Sequence, residues 1–483
     1  MSRAQLGTIE TNIPGRLDRL PWSRWHWMVV IGLGTVWILD GLEVTIVGSI
    51  SDRLTQPGAG LGLSTAGVGL AAAIYVAGAC VGSLFFGYLT DRFGRKRLFI
   101  ITLGLYLLAT VATAFAPSPA FFYVCRFFTG AGIGGEYSAI NSAIDELIPA
   151  RRCGVVDLAI NGSYWLGTAF GAMLSIVLLN TALFSEWLGW RLAFGLGAVL
   201  GLLILLVRRN VPESPRWMFI HGYQDGAEKT VRGIEEDIED QEGARLSPVD
   251  EKLTIKQRHS IGFGEIIDVA IHRYPRRLVL GLSLFIGQAF LYNAVFFTFA
   301  LVLTKLLNVP GDVAPWALVA IAVGNFAGPL LLGHLFDVVG RRIMISTTYI
   351  GSGVLLCGVA ALFGAGLLDA VWLTVCWSVV FFVASCGASS AYLTVSEVFP
   401  METRALAVAF FYAVGTGIGG IVGPLLFGAF VAQGVGAVAF GYYIGAALMI
   451  AAGVVEVIFG VEASRTSLEE VAEPITAQHP AGA

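Results

Sequence analysis

The stretch GYLTDRFGRKRLFI, residues 87–100, sets five charges, Asp91, Arg92, Arg95, Lys96 and Arg97, between two apolar runs. A near copy, GHLFDVVGRRIMI at 333–345, places Asp337 246 residues after Asp91. Around these two charged knots the chain is oily: 56% of its 483 residues are hydrophobic and only 13% charged. A soluble domain carries about 25% charged residues, so this chain could not solvate its surface as the roughly three globular domains its length suggests. It reads as a membrane protein. Thirty basic against 34 acidic residues give no nucleic-acid signature.

A membrane helix needs about 20 mostly apolar residues. Twelve segments qualify: 27–50, 64–88, 97–115, 121–147, 153–180 and 190–207, then 278–307, 313–336, 343–365, 370–396, 404–431 and 436–460. The spacing predicts an all-α polytopic membrane protein of two six-helix bundles, 27–207 and 278–460, related by a pseudo-two-fold axis. A polar segment, 1–26, precedes them; it holds Pro14 and Pro21 and does not read as a cleavable signal peptide. The loop 208–277 reads as short amphipathic helices on the membrane surface, and 461–483 as a polar tail.

Basic residues crowd one side. Arg3, Arg16, Arg19 and Arg24 precede span 1, the first knot follows span 2, Arg151 and Arg152 follow span 4, and twelve Lys/Arg occupy the loop. Arg341 and Arg342 follow span 8, Arg404 follows span 10 and Arg465 lies beyond span 12; the opposite side holds Arg53, Arg191 and Lys305. This bias predicts that both termini are cytoplasmic, in a plasma membrane of the bacterial inner-membrane kind.

Both knots follow the second span of a bundle. A second pair behaves alike: DELIPARRCG (145–154) after span 4 and SEVFPMETRA (396–405) after span 10, with Glu146 and Glu397 251 residues apart. Gly87 and Gly333 would let helices approach closely. The following carboxylates, Asp91 and Asp337, can accept bonds from basic groups or from a neighbouring helix N-terminus. The pattern predicts a cytoplasmic latch of Asp91, Arg92, Gly94, Arg95 and Lys96 with Asp337, Gly340, Arg341 and Arg342. Asp145, Glu146, Asp157 and Glu397 are expected to bond Arg92, Arg95, Arg151, Arg152, Arg341 or Arg404. The bland alternative is a plain basic anchor.

Ionisable residues within spans are costly and mark function. Asp40 and Glu43 lie three apart in span 1 and Arg126 lies in span 4. At ~1.5 Å per residue, Glu43 and Arg126 both lie roughly 10 Å below the outer surface. Gly130 and Gly134 follow Arg126 at helical spacing and would let span 4 lie against a neighbour. An ion pair between Arg126 and Glu43 or Asp40 is expected. Burial disfavours a charged carboxylate and a nearby guanidinium favours it, so wetting the site would change its hold on a proton. Alternatives are a structural salt bridge, or Arg126 as an anchor for a substrate carboxylate. Glu136, roughly 24 Å from the outer end of span 4, is a candidate second proton site. Glu456 in span 12 has no evident partner.

Over almost its whole length the chain resembles the major facilitator superfamily, in particular its sugar-porter-type and metabolite:proton symporter branches. GYLTDRFGRK, RFFTGAGIGG, DELIPARRCG, WRLAFGLGAV, VPESPRWM, GQAFLYN, GHLFDVVGRR and SEVFPMETR occur in the family's order. The resemblance implies alternating access to a midplane site. It matches Glu43 and Arg126 to an acid and an Arg of proton symporters. It matches Asn161, Gln288, Asn293 and Asn325 to amide positions, with Tyr292 one turn from Gln288. Tyr392 falls where sugar porters often carry Trp. There are departures too. Val338 replaces a usual basic residue, and Cys153 replaces a usual Arg for which Arg151 and Arg152 could substitute. Gly287 and Gly415 replace amides. GGEY (134–137) and LDGLE (39–43) look more like organic-acid symporters.

The expectation is a proton-coupled importer of a sugar, polyol, organic acid or aromatic acid, with a uniporter, an exporter and a nutrient sensor as alternatives. Walker, GxSxG and HExxH elements are missing from the sequence, so no enzyme, catalytic residue or cofactor is expected. The six cysteines, at 80, 125, 153, 357, 376 and 386, lack metal-ligand spacing and read as apolar filler. The expected partners are the solute, protons and lipid, around a monomer.

Overall fold

The computed structural model describes residues 7–50, 54, 61–63, 65–208, 212–243, 245–250, 252–256, 268–309, 314–400, 403–464 and 466–472. Long helices fall on all the expected spans. Spans 1 to 6 are Arg24–Ser49, Thr65–Phe93, Arg95–Ala114, Pro119–Leu147, Cys153–Leu178 and Glu186–Arg208. Spans 7 to 12 are Pro275–Leu301, Ala314–Val338, Arg341–Gly364, Ala370–Val398, Arg404–Gln433 and Val435–Phe459. Among the described residues, eight of these helices are long and apolar enough to cross a membrane by length and composition. Arg3, Arg53 and Arg465 lie outside the described residues.

Local chemistry sets the helix ends. Ser118 opens span 4 by accepting the Phe121 N–H, and Asp369 opens span 10 by accepting that of Trp372. Spans 2 and 3 are joined by Gly94 alone, spans 8 and 9 by Val339 and Gly340. The φ values of the two glycines, +97° and +116°, lie where a Cβ is disfavoured, so each knot's glycine is a requirement of its turn.

Spans 2 and 4 cross where a Cβ on Gly130 or Gly134 would lie only 2.1 or 2.0 Å from the carbonyl oxygens of Tyr75 and Ala79. Span 2 is thus the neighbour that span 4's small residues admit. Across the bundle interface, span 5 packs on span 8 and span 2 on span 11. Gly333 faces Leu158 and Val155 of span 5 with room for a Cβ, at 3.5 and 3.8 Å, so that approach does not demand glycine as expected. Gly87 is buried.

The loop departs from expectation. Its helix Gln224–Glu242 buries Ala227, Val231, Ile234 and Ile238, one apolar stripe at helical spacing. That stripe lies against the short helices Pro215–Ile220 and Ile13–Asp18, so protein covers the face expected to lie on membrane. The N-terminal segment completes this layer. Strand β1 (Thr8–Thr11) pairs antiparallel with β2 (Leu253–Lys256), and Arg16 binds Glu228 and Glu235 at 2.7 and 2.5 Å.

Candidate functional site

Two sites emerge, one inside the N-terminal bundle and one at the face that carries the knots. In the first, Arg126 donates from Nη1 to Glu43 at 2.5 Å, with both side chains 2% exposed. The Arg126 guanidinium also lies over the Tyr75 ring, 4.4 Å from its centroid. The crossing of spans 2 and 4 explains this: it lays Tyr75 beneath Arg126 one turn before Gly130. Asp40 sits a turn from Glu43, fully buried, with neither carboxylate oxygen hydrogen-bonded. Glu43 and the buried Glu136 lie within electrostatic reach of it.

The predicted pocket residues divide. Asn161 donates to Asn141 at 3.1 Å and to the Asp157 carbonyl at 2.9 Å, which makes it a tie between spans 4 and 5. Tyr292 donates to Asn325 at 2.8 Å, and Asn325 donates to Ile321 O. Asn293 donates to Ala289 O while its carbonyl oxygen faces Gly420 of span 11. Gln288 is half-buried in span 7. Tyr392 belongs to an aromatic cluster bridging the bundles: Trp37 stacks on Tyr137 at 4.5 Å, Tyr392 and Tyr412 meet that pair edge-on, and Phe285 meets Tyr392 edge-on. Gly415, at an expected amide position, packs directly on Phe285 of span 7.

At the knot face each knot Arg holds two acids. Arg95 reaches Asp91 at 3.1 Å and Glu146 at 2.8 Å; Arg341 reaches Asp337 at 2.6 Å and Glu397 at 2.9 Å. Arg404 stands 3.7 Å from Glu146. The knot acids also cross the interface. Asp91 accepts the Leu406 N–H of span 11 at 3.0 Å, while Asp337 accepts those of Gly154 and Val155 of span 5 at 3.2 and 2.8 Å. Each bundle thus caps a helix N-terminus of the other, where a carboxylate is stabilised by unpaired N–H groups and the helix dipole.

Several expected latch partners are elsewhere. Arg95 turns back to Asp91 across the Gly94 turn, while its neighbours find other partners. Arg92 lies over Phe93, and the Lys96 backbone N–H bonds Glu213. Arg151 bonds Leu20 O and Arg152 lies over Trp22, so both serve the N-terminal segment and neither stands in at position 153. Cys153 instead lies 3.1 Å from Asp145. Arg342 bonds Val457 O. Asp157 makes no ion pair among the described residues, because Arg341, the guanidinium within its reach, is occupied by Glu397 and Asp337.

Sequence reading missed a third duplicated element. Glu213 accepts the N–H groups of Arg95 and Lys96 at the start of span 3, and Glu462 accepts those of Arg341 and Arg342 at the start of span 9. The signal was present: PESPR at 212–216 and VEASR at 461–465 recur 249 residues apart. Arg216, 1% exposed, ties Asp18 and Glu469 together at 3.0 and 3.3 Å.

Comparison with known proteins agrees with this geometry. The family model described as sugar (and other) transporter matches residues 25–474. The niacin transporter of Acinetobacter baylyi is 27% identical over 419 residues, 86% of this chain and 89% of that one. The major myo-inositol transporter of Bacillus subtilis is 24% identical over 77% of this chain and 78% of its own length. Among solved structures, a proton:xylose symporter of the major facilitator superfamily bound to 6-bromo-6-deoxy-D-glucose superposes with TM-score 0.76 at 20% identity, covering 93% of this chain and 98% of that one. The chain belongs to the sugar (and other) transporter family and shares the fold of that major facilitator symporter: it is a multi-pass membrane transporter and not an enzyme.

Proposed function

We propose that this protein imports a small polar organic solute together with protons, with its knot face in the cytoplasm of a bacterial cell. The observation that carries the coupling is the buried Arg126–Glu43 pair beside Asp40, whose oxygens have no hydrogen-bond donor. Two acids against one guanidinium leave a net negative charge in a low-dielectric site, and such a group relieves its burial by taking a proton. Opening toward the outside hydrates Glu43 and loosens Arg126. Protonation then neutralises the acid, and the loaded carrier can turn its cavity inward. The knot contacts hold the structure closed at the knot face, the state in which solute and proton would enter from outside.

The named relatives carry an aromatic acid, a polyol and a sugar. Here Asn161 and Asn325 are engaged by other side chains, while Trp37, Tyr137, Tyr392, Tyr412 and Phe285 gather at the bundle interface. A ring with a flat face suits such a lining better than a hexose does, since few amides remain to bond its hydroxyls. This favours an aromatic acid, with Tyr292, Asn293 and Gln288 as contacts.

The test is uptake of a labelled panel of sugars, polyols and aromatic acids into proteoliposomes, with and without an inward proton gradient. Accumulation only with the gradient is expected. Equilibration regardless of it would make the protein a uniporter, accumulation against the opposite gradient an exporter, and binding without uptake a sensor.

A further inference from the structure

We propose that Asp157 is a second proton-binding site, filled while the bundles are latched and emptied into the knot-face solvent when they part. It rests on the rocking of the bundles proposed above and not on the role of Glu43. Asp157 is fully buried, and neither of its oxygens receives a hydrogen bond. It stands in the second turn of span 5, beyond the first-turn N–H groups that stabilise an anion, and those of Gly154 and Val155 point at Asp337 of the other bundle.

The charges around it do not rescue an anion. Span 4 contributes Asp145, span 10 Glu397 and span 8 Asp337, all acids. Span 9 contributes Arg341, whose N–H groups go to Glu397, Asp337 and the Phe336 carbonyl. On its own helix, Cys153 turns to Asp145 and Asn161 to Asn141. Span 1 ends here in His26, held by Ser23. Across the latch, among the described residues, Asp91, Asp145, Glu146, Asp157, Asp337 and Glu397 face Arg95, Arg341, Arg404 and, on the Glu146 side, Arg216, which is shared with Asp18 and Glu469. Asp91 and Asp337 have helix N-termini in compensation; Asp157 has within reach the Asn161 amide, shared with Asn141, and an Arg341 that its own two acids occupy. A carboxyl so placed is neutral, its proton on one oxygen.

Parting the bundles reverses each of these conditions. Asp337, Arg341 and Glu397 leave with the C-terminal bundle, and water enters to hydrate an Asp157 anion. The O–H bond then breaks and the proton passes to water. Closing the latch again requires a proton from that same side, so the return step answers to the pH at the knot face.

The test needs no solute. The full chain in lipid nanodiscs carries nitroxides at Arg97→Cys and Ile343→Cys, with native cysteines other than Cys153 changed to alanine, and the distance across the knot face is read as a function of pH. One linked proton changes the open-to-latched ratio by about tenfold per pH unit over its titration. Asp157→Asn, which mimics the protonated form, should remain latched and lose that dependence, while Asp157→Glu should retain it. Glu43→Gln should shift the ratio but leave it dependent on pH, because Asp157 still titrates. Should Asp157→Asn respond to pH like the parent, the proposal is wrong whatever Glu43 does. Should Glu43→Gln alone flatten the response, the proton sits in span 1 and Asp157 is structural.

Discussion

The two bundles are alike at one end and unlike in the middle. At the knot face the N-terminal half sets Gly94, Arg95, Asp91, Glu146 and Glu213 as the C-terminal half sets Gly340, Arg341, Asp337, Glu397 and Glu462. Deeper in, the N-terminal half buries Asp40, Glu43, Arg126 and Glu136. The charged side chains that the C-terminal half buries, Glu456 among them, lie near its knot end, and its middle carries Asn325, Tyr292 and hydroxyls. A latch that must open and close both halves together works only if the halves match. Charge movement and solute contact are under no such constraint. On the function proposed above, the difference would put proton coupling in one bundle and much of the solute contact in the other.

The sharpest way to break this division is in the middle. Glu43→Gln should abolish gradient-driven accumulation to the level of empty vesicles while solute exchange persists, because a neutral residue mimics one protonation state and no longer cycles. Tyr292→Phe removes the hydroxyl that bonds Asn325. A hydrogen bond of that kind contributes about 0.5–1.5 kcal/mol, so KM should rise about two- to tenfold with the accumulation ratio unchanged. If the two variants exchanged phenotypes, the assignment of halves would be reversed.

The next comparison is at the matched ends. Removing one partner of a buried ion pair costs about 3–5 kcal/mol, since the other charge is left uncompensated. Arg341→Ala orphans both Asp337 and Glu397. Arg95→Ala orphans Asp91 and Glu146, but Arg404 already stands 3.7 Å from Glu146 and can take up part of its charge. Thermal unfolding in detergent should therefore fall further for Arg341→Ala than for Arg95→Ala. Equal losses would show that Arg404 compensates nothing.

Much of this was legible in the sequence because the physics is one-dimensional. Apolar runs of membrane length give the spans, and duplication gives the halves and the latch acids. Arg126 and Glu43 could be matched in depth because helical rise is constant. Direction around a helix was harder to read. Sequence placed Arg151 and Arg152 in the latch, yet they serve Leu20 and Trp22, and Asp157 was given a guanidinium that the fold allots to others. The amphipathic helix at 224–242 showed its apolar stripe plainly but not what would cover it; a lipid face and a face against the N-terminal segment carry the same pattern. Glu213 and Glu462 were missed because only the acid and the arginine three residues on recur, in short polar segments just past the spans.

The smallest effect separates the two terminal segments, whose ion pairs answer pH with opposite signs. Glu235 holds Arg16 and Arg19; burial opposes its ionisation, but their hydrogen bonds win and set its carboxyl below the ordinary 4.5. A depressed acid stabilises the docked segment above its ordinary value, and that contribution is lost as pH falls through the lower, docked value. Glu469 in the tail is the reverse case. Burial pushes its carboxyl up despite Arg216, so the docked tail binds a proton more tightly than the free one, and docking weakens as pH rises through the interval. Labels at Thr8 and at Glu470, followed by fluorescence anisotropy, should show the N-terminal segment freed in acid, below the ordinary carboxylate range, while the tail is held no less firmly there. Release of both together by acid would mean that the Glu469–Arg216 pair governs the tail as an ordinary salt bridge, and the asymmetry between the halves would end at the membrane.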